Sequence, residues 1–315
     1  MIKIFYRRGS EIVFSPSQTE FAAISKENVL WIDLLDPSGE EKRATESFLG
    51  TEIQSRAEAE EIESSSRFYE EGAAIFANTN FLSPAGDEMT METVSFILSD
   101  GVLTTLRENP LRSFDTLQMK IQARPEQFPD GFTVFVEIMD KRVDLDADIV
   151  ELIGKDVSQF SKRVNQKEDI NEEFLLDINQ LQENAMFVRE NIVDKQRLIT
   201  NLTKSDKYPQ ELDNRFSVLQ QDISSLINHT NFSFERLEYL QDTVVGLINL
   251  EQNKIMKIFT LISLLLMPPT LVASFYGMNV ELPLSGLSWA WIIIIAFMLL
   301  SLGVVLWAFK KRKML

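Results

Sequence analysis

The stretch Tyr276-Gly277-Met278-Asn279 opens a 13-residue loop, residues 276–288, between the only two segments of this chain that are long and apolar enough to cross a membrane. Residues 258–275 and 289–309 supply 18 and 21 consecutive residues without a charge. A bilayer core about 30 Å thick requires about 20 such residues in a helix. A short loop between two spans lies at the mouth of whatever they enclose, so we predict that it lines, caps or plugs that mouth.

Flanking charges predict how the hairpin is oriented. Lys254 and Lys257 precede the first span and the basic run 310–313 follows the second, whereas the loop carries only Glu281. The positive-inside rule places both termini in the cytoplasm and the loop outside. Because residues 1–8 have no apolar signal-peptide core, the large N-terminal part is expected to remain in the cytosol. We therefore expect a two-span protein of the cell (inner) membrane, embedded in its lipid bilayer.

Composition excludes several classes of function. The chain has no cysteine and one histidine, His229, so neither a thiolate site nor a histidine cluster for zinc exists within one chain. Residues 1–254 carry a net charge of −20. Such a surface repels nucleic acid and attracts cations, and most of its acids serve solubility. Neither a phosphate-binding GxxxxGK[ST] loop nor a catalytic constellation occurs, which argues against ATP-driven pumping and against an enzyme.

The first part of the chain, residues 1–130, is predicted to be a cytosolic α/β domain whose helices cover a small sheet. Runs rich in β-branched and aromatic residues predict strands at 2–6, 29–35, 73–80, 93–98 and 102–106. Pro37-Ser38 followed by Glu40-Glu41 predicts a helix start, and a second short helix is expected around residues 58–63.

The remainder is predicted to be helical. Apolar residues spaced by four and three from Phe174 to Ile192 predict a long antiparallel helical hairpin over 131–210. A cytosolic stalk helix, 211–254, is expected to continue into the first transmembrane helix, 255–275. The external loop 276–288, a second transmembrane helix, 289–309, and a basic cytosolic tail, 310–315, complete the predicted domain order.

The first span carries a stripe of less apolar residues. At 100° per residue, one helix face collects Asn253, Met256, Thr260, Ser263, Met267, Thr270, Ser274 and Gly277. Small and hydroxylic residues at this spacing either pack helices closely in lipid or line a water-filled path, and the spacing does not decide between the two. Since one hairpin cannot enclose a pore, the second interpretation requires a ring of subunits.

The loop chemistry suits a hydrated cation. Gly277 tolerates a positive φ, so we expect the chain to leave the helix there. Asn279 offers a side-chain and a backbone carbonyl oxygen. A ring of such oxygens would bind the water shell of Mg²⁺, which prefers oxygen ligands and dehydrates reluctantly. Within the span, Pro268-Pro269 either kinks the helix or frees carbonyls toward a cavity.

Several motifs resemble the CorA magnesium transporters. These are residues 250–259 (LEQNKIMKIF), residues 267–274 (MPPTLVAS) and the YGMN tetrapeptide at 276–279. Trp31-Ile32-Asp33-Leu34, Glu61-Ile62-Glu63 and the basic tail also resemble that family. The resemblance covers essentially the whole chain.

This resemblance implies a homopentameric, funnel-shaped channel for Mg²⁺, which is both the transported ion and a regulatory ligand, with no organic cofactor. Co²⁺ and Ni²⁺ are further possible cargo. By motif, Gly277, Met278 and Asn279 would form the selectivity filter. Met267 and Thr270 would line the upper pore, and Asn253, Met256 and Phe259 the inner neck, with Met256 and Phe259 as an apolar gate. Mg²⁺ held by cytosolic acids would favour the closed state.

Two departures and two alternatives accompany this interpretation. The loop lacks an acid of the MPEL-like kind, which leaves Glu281 alone, and the regulatory acids cannot be matched, so that Asp222 is only a candidate. A zinc transporter of the same superfamily is one alternative, although its members tend to have Ile where Met278 stands. The other is a membrane-anchored acidic scaffold that conducts nothing.

Overall fold

The computed structural model describes residues 1–54, 59, 67–85, 88–166, 170–278, 283 and 288–311. The chain divides into two compact units, Met1–Gln241 and Asp242–Leu315. The short helix predicted around residues 58–63, and the Glu61-Ile62-Glu63 motif with it, lie outside the described residues except for Ala59.

A seven-stranded sheet forms the centre of the first unit. Its strands are β1 (Ile2–Arg8), β2 (Glu11–Ser15), β3 (Val29–Leu35), β4 (Phe68–Glu71), β5 (Ala74–Ala85), β6 (Glu88–Ser99) and β7 (Val102–Arg107). Their order is β2-β1-β3-β7-β6-β5-β4, and β3 and β7 are the parallel pair among antiparallel neighbours. All five predicted strands are present. The two that sequence reasoning missed, β2 and β4, are the edge strands, which the ladders with β1 and β5 stabilise more than their own composition does.

Six α-helices follow the chain among the described residues. They are α1 (Gly39–Leu49), α2 (Arg112–Ala123), α3 (Gly131–Gln166), α4 (Glu172–Leu202), α5 (Asp213–Tyr276) and α6 (Ala290–Lys311). The predicted start of α1 is confirmed as a capping box: the Ser38 hydroxyl accepts from the Glu41 N–H, and the Glu41 carboxylate accepts from the Ser38 N–H at 2.8 Å. Helix α2 was not predicted.

Helices cover both faces of the sheet. On one face, Ile4, Ile32, Phe76 and Ile97 belong to a buried cluster that includes Leu49 of α1. The other face is aromatic. Trp31 of β3 is fully buried, stacks on Phe5 with 4.8 Å between ring centroids, and lies 5.7 Å from Phe114 of α2. Phe96 of β6 meets Phe135 of α3 edge to face at 5.1 Å. Burial on both faces makes the sheet the core of this unit.

The start of α3 is fixed by a close backbone approach. The Gly131 N–H donates to the Gly101 carbonyl at 2.6 Å. A Cβ atom at Gly131 would lie 2.3 Å from the backbone nitrogen of Leu103, a separation at which the two atoms overlap. Glycine is therefore required where α3 crosses β7.

Two buried ion clusters connect sheet and helices. Asp33 of β3 pairs with Arg107 of β7 at 2.8 Å, with both side chains about 1% exposed, and Asp33 also accepts from Thr105 at 2.9 Å. In the second cluster Asp146 of α3 pairs with Arg142 and, at 3.1 Å, with Lys195 of α4, which is fully buried. Buried charges persist only when paired in this way.

The first part of α5 packs in the first unit. Phe216, Leu219 and Ile223 are buried. Side-chain hydrogen bonds connect α5 to α4, among them Gln196 to Ser224 at 3.1 Å, Arg189 to Asn231 at 2.6 Å and Gln241 to Asn179 at 2.9 Å. The predicted turn around residues 204–209 lies between these two helices.

Candidate functional site

The second unit contains the C-terminal part of α5 and the whole of α6. Both helices are long and apolar enough to cross a membrane, as the sequence predicts. Trp289 and Trp291 precede or begin α6, Trp307 lies near its end, and all three are more than half exposed. The Lys311 ammonium lies 5.1 Å from the Trp307 ring centroid, an arrangement typical of the membrane–water interface.

The stripe predicted from the sequence is exposed along its whole length. Every one of its residues from Asn253 to Gly277 is exposed within the chain, with Met256 and Met267 at 64% and 62%. The half-buried positions of the same segment are Leu261, Leu265, Pro268, Pro269, Val272 and Tyr276. At 100° per residue, the centres of the two sets are about 180° apart. The stripe therefore faces away from the side of the helix that the chain covers.

Hydroxyl groups on this stripe are engaged with the helix backbone. The Thr260 hydroxyl donates to the Met256 carbonyl at 2.8 Å, and the Thr270 hydroxyl donates to the Leu266 carbonyl at 2.7 Å. Because each hydroxyl has one proton, its oxygen is left as an acceptor on the exposed side. An acceptor oxygen is the group that the water shell of a cation requires, since those waters donate outward.

The two prolines of the first span do not belong to the exposed stripe. Pro268 and Pro269 lie inside α5, which continues through them to Tyr276. Both are half-buried, on the side opposite the stripe. Their missing N–H groups leave the carbonyls of Leu264 and Leu265 without their helical partners. The sequence left two interpretations of the prolines, a kink in the helix or carbonyls freed toward a cavity. Their position opposite the stripe favours the kink, because carbonyls freed there do not line the stripe.

The expectation for Gly277 was wrong in one respect. Gly277 does not have a positive φ, and its N–H still donates to the Ala273 carbonyl at 2.9 Å, as in a continuing helix. A Cβ atom there would lie 3.2 Å from that carbonyl oxygen. This separation is the ordinary one between a side chain and the carbonyl four residues back in a helix, so the described backbone does not by itself require glycine at this position. Met278 follows with 53% exposure, whereas Asn279 lies outside the described residues.

Met256 and Phe259, the predicted gate, are each 64% exposed, in a stretch of α5, residues 251–260, where every residue is exposed. Asp222, the candidate regulatory acid, is an exposed residue of α5 in the first unit. Among the described residues it forms no ion pair, and no group of three or more acidic or histidine side chains there is close enough to hold a metal ion. A regulatory metal site that includes Asp222 would therefore need further ligands from outside the described residues of one chain.

The fold and the hairpin together define a class of membrane transport protein with a large extramembrane α/β unit and two spans. The family model of the CorA-like Mg²⁺ transporter protein matches residues 26–311. The chain belongs to this family, and its function is accordingly Mg²⁺ transport and not catalysis.

Similar proteins agree with this assignment. The magnesium transport protein CorA of Wolinella succinogenes is 36% identical over the full length of both chains, and that of Escherichia coli K12 is 34% identical over 91% of this chain and 92% of its own. Among solved structures, the complete CorA magnesium transporter from Methanocaldococcus jannaschii superposes with a TM-score of 0.80 at 18% identity, covering 99% of this chain and 98% of its own. The structure of the full-length CmaX protein superposes with a TM-score of 0.76 at 13% identity, covering 99% of this chain and 97% of its own. At such identities the two structures establish the fold alone.

Proposed function

We propose that this chain forms a homopentameric channel through which hydrated Mg²⁺ enters the cell, driven by the membrane voltage. The observation that carries the proposal is the position of the polar stripe, opposite the covered side of α5. Within the described part of a single chain that stripe is exposed, and in a ring of copies it is available to face a common axis. The family resemblance favours five copies.

The ion path follows from the chemistry along the stripe. From Asn253 to Gly277 the helix rises about 36 Å, enough to span a hydrocarbon core of about 30 Å. Gly277, Met278 and Asn279 would form the outer filter, and Asn279 would accept hydrogen bonds from the water shell of the ion. Thr270, Ser263 and Thr260 would offer further oxygens below it. Such groups would replace part of the outer solvation and leave the inner shell in place.

Movement of the ion needs no chemical fuel in this proposal. A divalent cation gains about 4.6 kcal/mol per 100 mV, twice the value for a single charge. An interior-negative voltage therefore favours influx. With both termini in the cytoplasm, the acidic first unit would lie on the side where the ion arrives.

Closure would take place at the apolar neck. Rings of Met256 and Phe259 would exclude water when narrow, and a dewetted constriction blocks an ion that keeps its hydration shell. Cytosolic Mg²⁺ bound by acids of neighbouring first units would favour this closed state, with Asp222 as one candidate ligand. Helix α5 includes both Asp222 and the neck residues.

The test is ion flux in vesicles. The full-length protein would be reconstituted with a Mg²⁺-sensitive dye inside, and a potassium gradient with valinomycin would set the voltage. We expect Mg²⁺ entry that grows with interior-negative voltage and falls when Mg²⁺ is present on the cytosolic side. Competition with Co²⁺, Ni²⁺ and Zn²⁺ would define the cargo. Flux that ignores voltage, or that Zn²⁺ alone supports, would overturn the proposal.

A further inference from the structure

A groove of about 870 Å³ lies between α3 and α5 in the first unit. Its α3 wall includes Gly154, Lys155, Ser158 and Lys162, and its α5 wall includes His229, Phe232, Ser233 and Arg236. The volume falls within the range of small-molecule sites. Neither the ion path nor the family assignment uses this groove.

The charged side chains that line the groove are mainly basic, whereas residues 1–254 as a whole carry a negative net charge. Lys155, Lys162 and Arg236 line it together with a single carboxylate, Glu151, which pairs with Lys155 at 2.7 Å. Among the described residues, Lys162 and Arg236 have no ion-pair partner, in a region, residues 1–254, whose net charge is −20. Clefts lined by one sign of charge concentrate ligands of the other sign.

The spacing of the cations indicates more than one anionic group. Lys155 and Lys162 are seven residues apart on α3, which places them about 10 Å apart along the helix axis. A chain of phosphates can place a separate anionic group beside each of them. Ser158, Ser233 and His229 add side chains capable of hydrogen bonding along the same walls.

Gly154 leaves part of the groove open. In a helix interior, glycine costs about 1 kcal/mol relative to alanine, so packing usually has to require it. Here it does not, because no described atom outside the neighbouring backbone of α3 itself lies within 4 Å of the position that a Cβ would occupy. The missing side chain widens the groove instead, and the Gly154 carbonyl accepts a hydrogen bond from Ser158 at 2.9 Å.

An aromatic ring completes the site. Phe232 is 58% exposed on the α5 wall, and the Arg236 guanidinium lies 5.8 Å from its ring centroid. An exposed ring beside an arginine offers a stacking surface for a planar base while the arginine remains available to a phosphate.

We propose that this groove binds a nucleoside triphosphate. The phosphates would lie along Lys155, Lys162 and Arg236, and the base would stack on Phe232. The inference does not rest on the proposed ion path, since the groove lies entirely within the first unit. Binding here would let the transporter respond to a cytosolic anion that itself carries Mg²⁺.

The test is equilibrium binding of trinitrophenyl-ATP to the full-length protein in lipid nanodiscs, followed by fluorescence at fixed free Mg²⁺. We expect saturable binding that ATP displaces better than inorganic tripolyphosphate, and that adenosine displaces weakly. Lys162→Gln, Arg236→Gln and Gly154→Leu should each weaken binding about tenfold, the first two by loss of charge-assisted hydrogen bonds and the third by filling the groove.

Lys141→Gln is the matched control, because Lys141 lies on the same helix outside the groove and pairs with Asp144 at 2.9 Å. It should bind as the unaltered protein does. Absent saturable binding, equal affinity in all four variants, or equal competition by tripolyphosphate and ATP would each overturn the proposal. So would variants that change the size of the assembly without changing nucleotide affinity, since the groove would then be a contact between copies.

Discussion

The Thr270 hydroxyl donates a hydrogen bond to the backbone carbonyl of Leu266, with 2.7 Å between the two oxygens. This bond commits the only proton of the hydroxyl and leaves its oxygen as an acceptor on the exposed side of α5. We predict that Thr270→Val, which keeps the shape and removes that acceptor, lowers Mg²⁺ flux in vesicles about tenfold, the order expected for loss of one hydrogen bond to a charged species.

Thr270→Ser is the control for this prediction, because serine can make the same bond to Leu266. Its flux should stay within about twofold of the unaltered protein. Equal flux in the valine variant would show that the hydroxyl has no part in conduction.

Gly277→Ala tests the outer end of the path. Gly277 directly follows α5, which ends at Tyr276. In the proposed filter, a ring of added methyl groups would narrow the space left for the hydrated ion. We expect strongly reduced Mg²⁺ uptake with unchanged assembly, as judged by size-exclusion chromatography in detergent. Gly303→Ala on α6 is the matched control, since a Cβ there meets no described atom within 4 Å outside the neighbouring backbone of its own helix. Normal uptake in the Gly277 variant would refute its place in the filter.

Phe259→Ser tests the apolar neck. A small polar side chain removes the ring that excludes water, so the closed state should leak. We predict measurable Mg²⁺ entry with high Mg²⁺ on the cytosolic side, a condition under which the proposal expects the unaltered protein to be closed. Ile258→Ser, at an exposed position of the same helix about 160° from the centre of the stripe, should remain tight. A Phe259 variant that closes fully would place the gate elsewhere.

Asp33→Asn addresses stability. The change leaves the Arg107 guanidinium buried without its counter-charge. Breaking a buried ion pair in this way lowers the free energy of unfolding by about 3–5 kcal/mol in comparable cases. We expect a clear fall in the unfolding temperature, followed by tryptophan fluorescence in detergent, since Trp31 lies in the same core. Glu251→Gln, which breaks the exposed Glu251–Lys254 contact at 4.0 Å, should leave the unfolding temperature unchanged.

Lys195 predicts a pH dependence. Burial lowers the pKa of its ammonium from 10.5 to about 8, against the opposing effect of Asp146. Between these two values the unfolded chain binds more protons than the folded one, so the free energy of unfolding should rise as the pH increases from about 8 to 10.5. Below pH 8 both states are protonated and the burial cost is present in full.

The comparison is with Lys195→Met, measured by chemical denaturation across that range. The variant should lack this part of the rise, while Asp146 keeps its pair with Arg142. Parallel curves for the two proteins would mean that Lys195 keeps an ordinary pKa.

The sequence predicted the stripe because helical periodicity is a local property that residue spacing alone reveals. It did not predict the commitment of Thr260 and Thr270 to backbone carbonyls, because a hydroxyl has several possible partners. It also misjudged the backbone at Gly277, since glycine adopts positive and negative φ alike and only coordinates show which one it has. The groove could not be predicted from the sequence either, because Lys162 and Arg236 are 74 positions apart in the chain.

The sequence by itself determined the membrane hairpin, the long helices, five of the seven strands and the family. Uninterrupted apolar runs, regular spacing and short motifs are local features, so they can be recognised without coordinates. Tertiary structure decided the two edge strands, the crossing of α3 over β7 at Gly131, and the pairing of Asp33 with Arg107 and of Asp146 with Lys195. Each of these depends on contacts between residues distant in sequence, and their free energy comes from burial that exists only once the sheet and helices have packed.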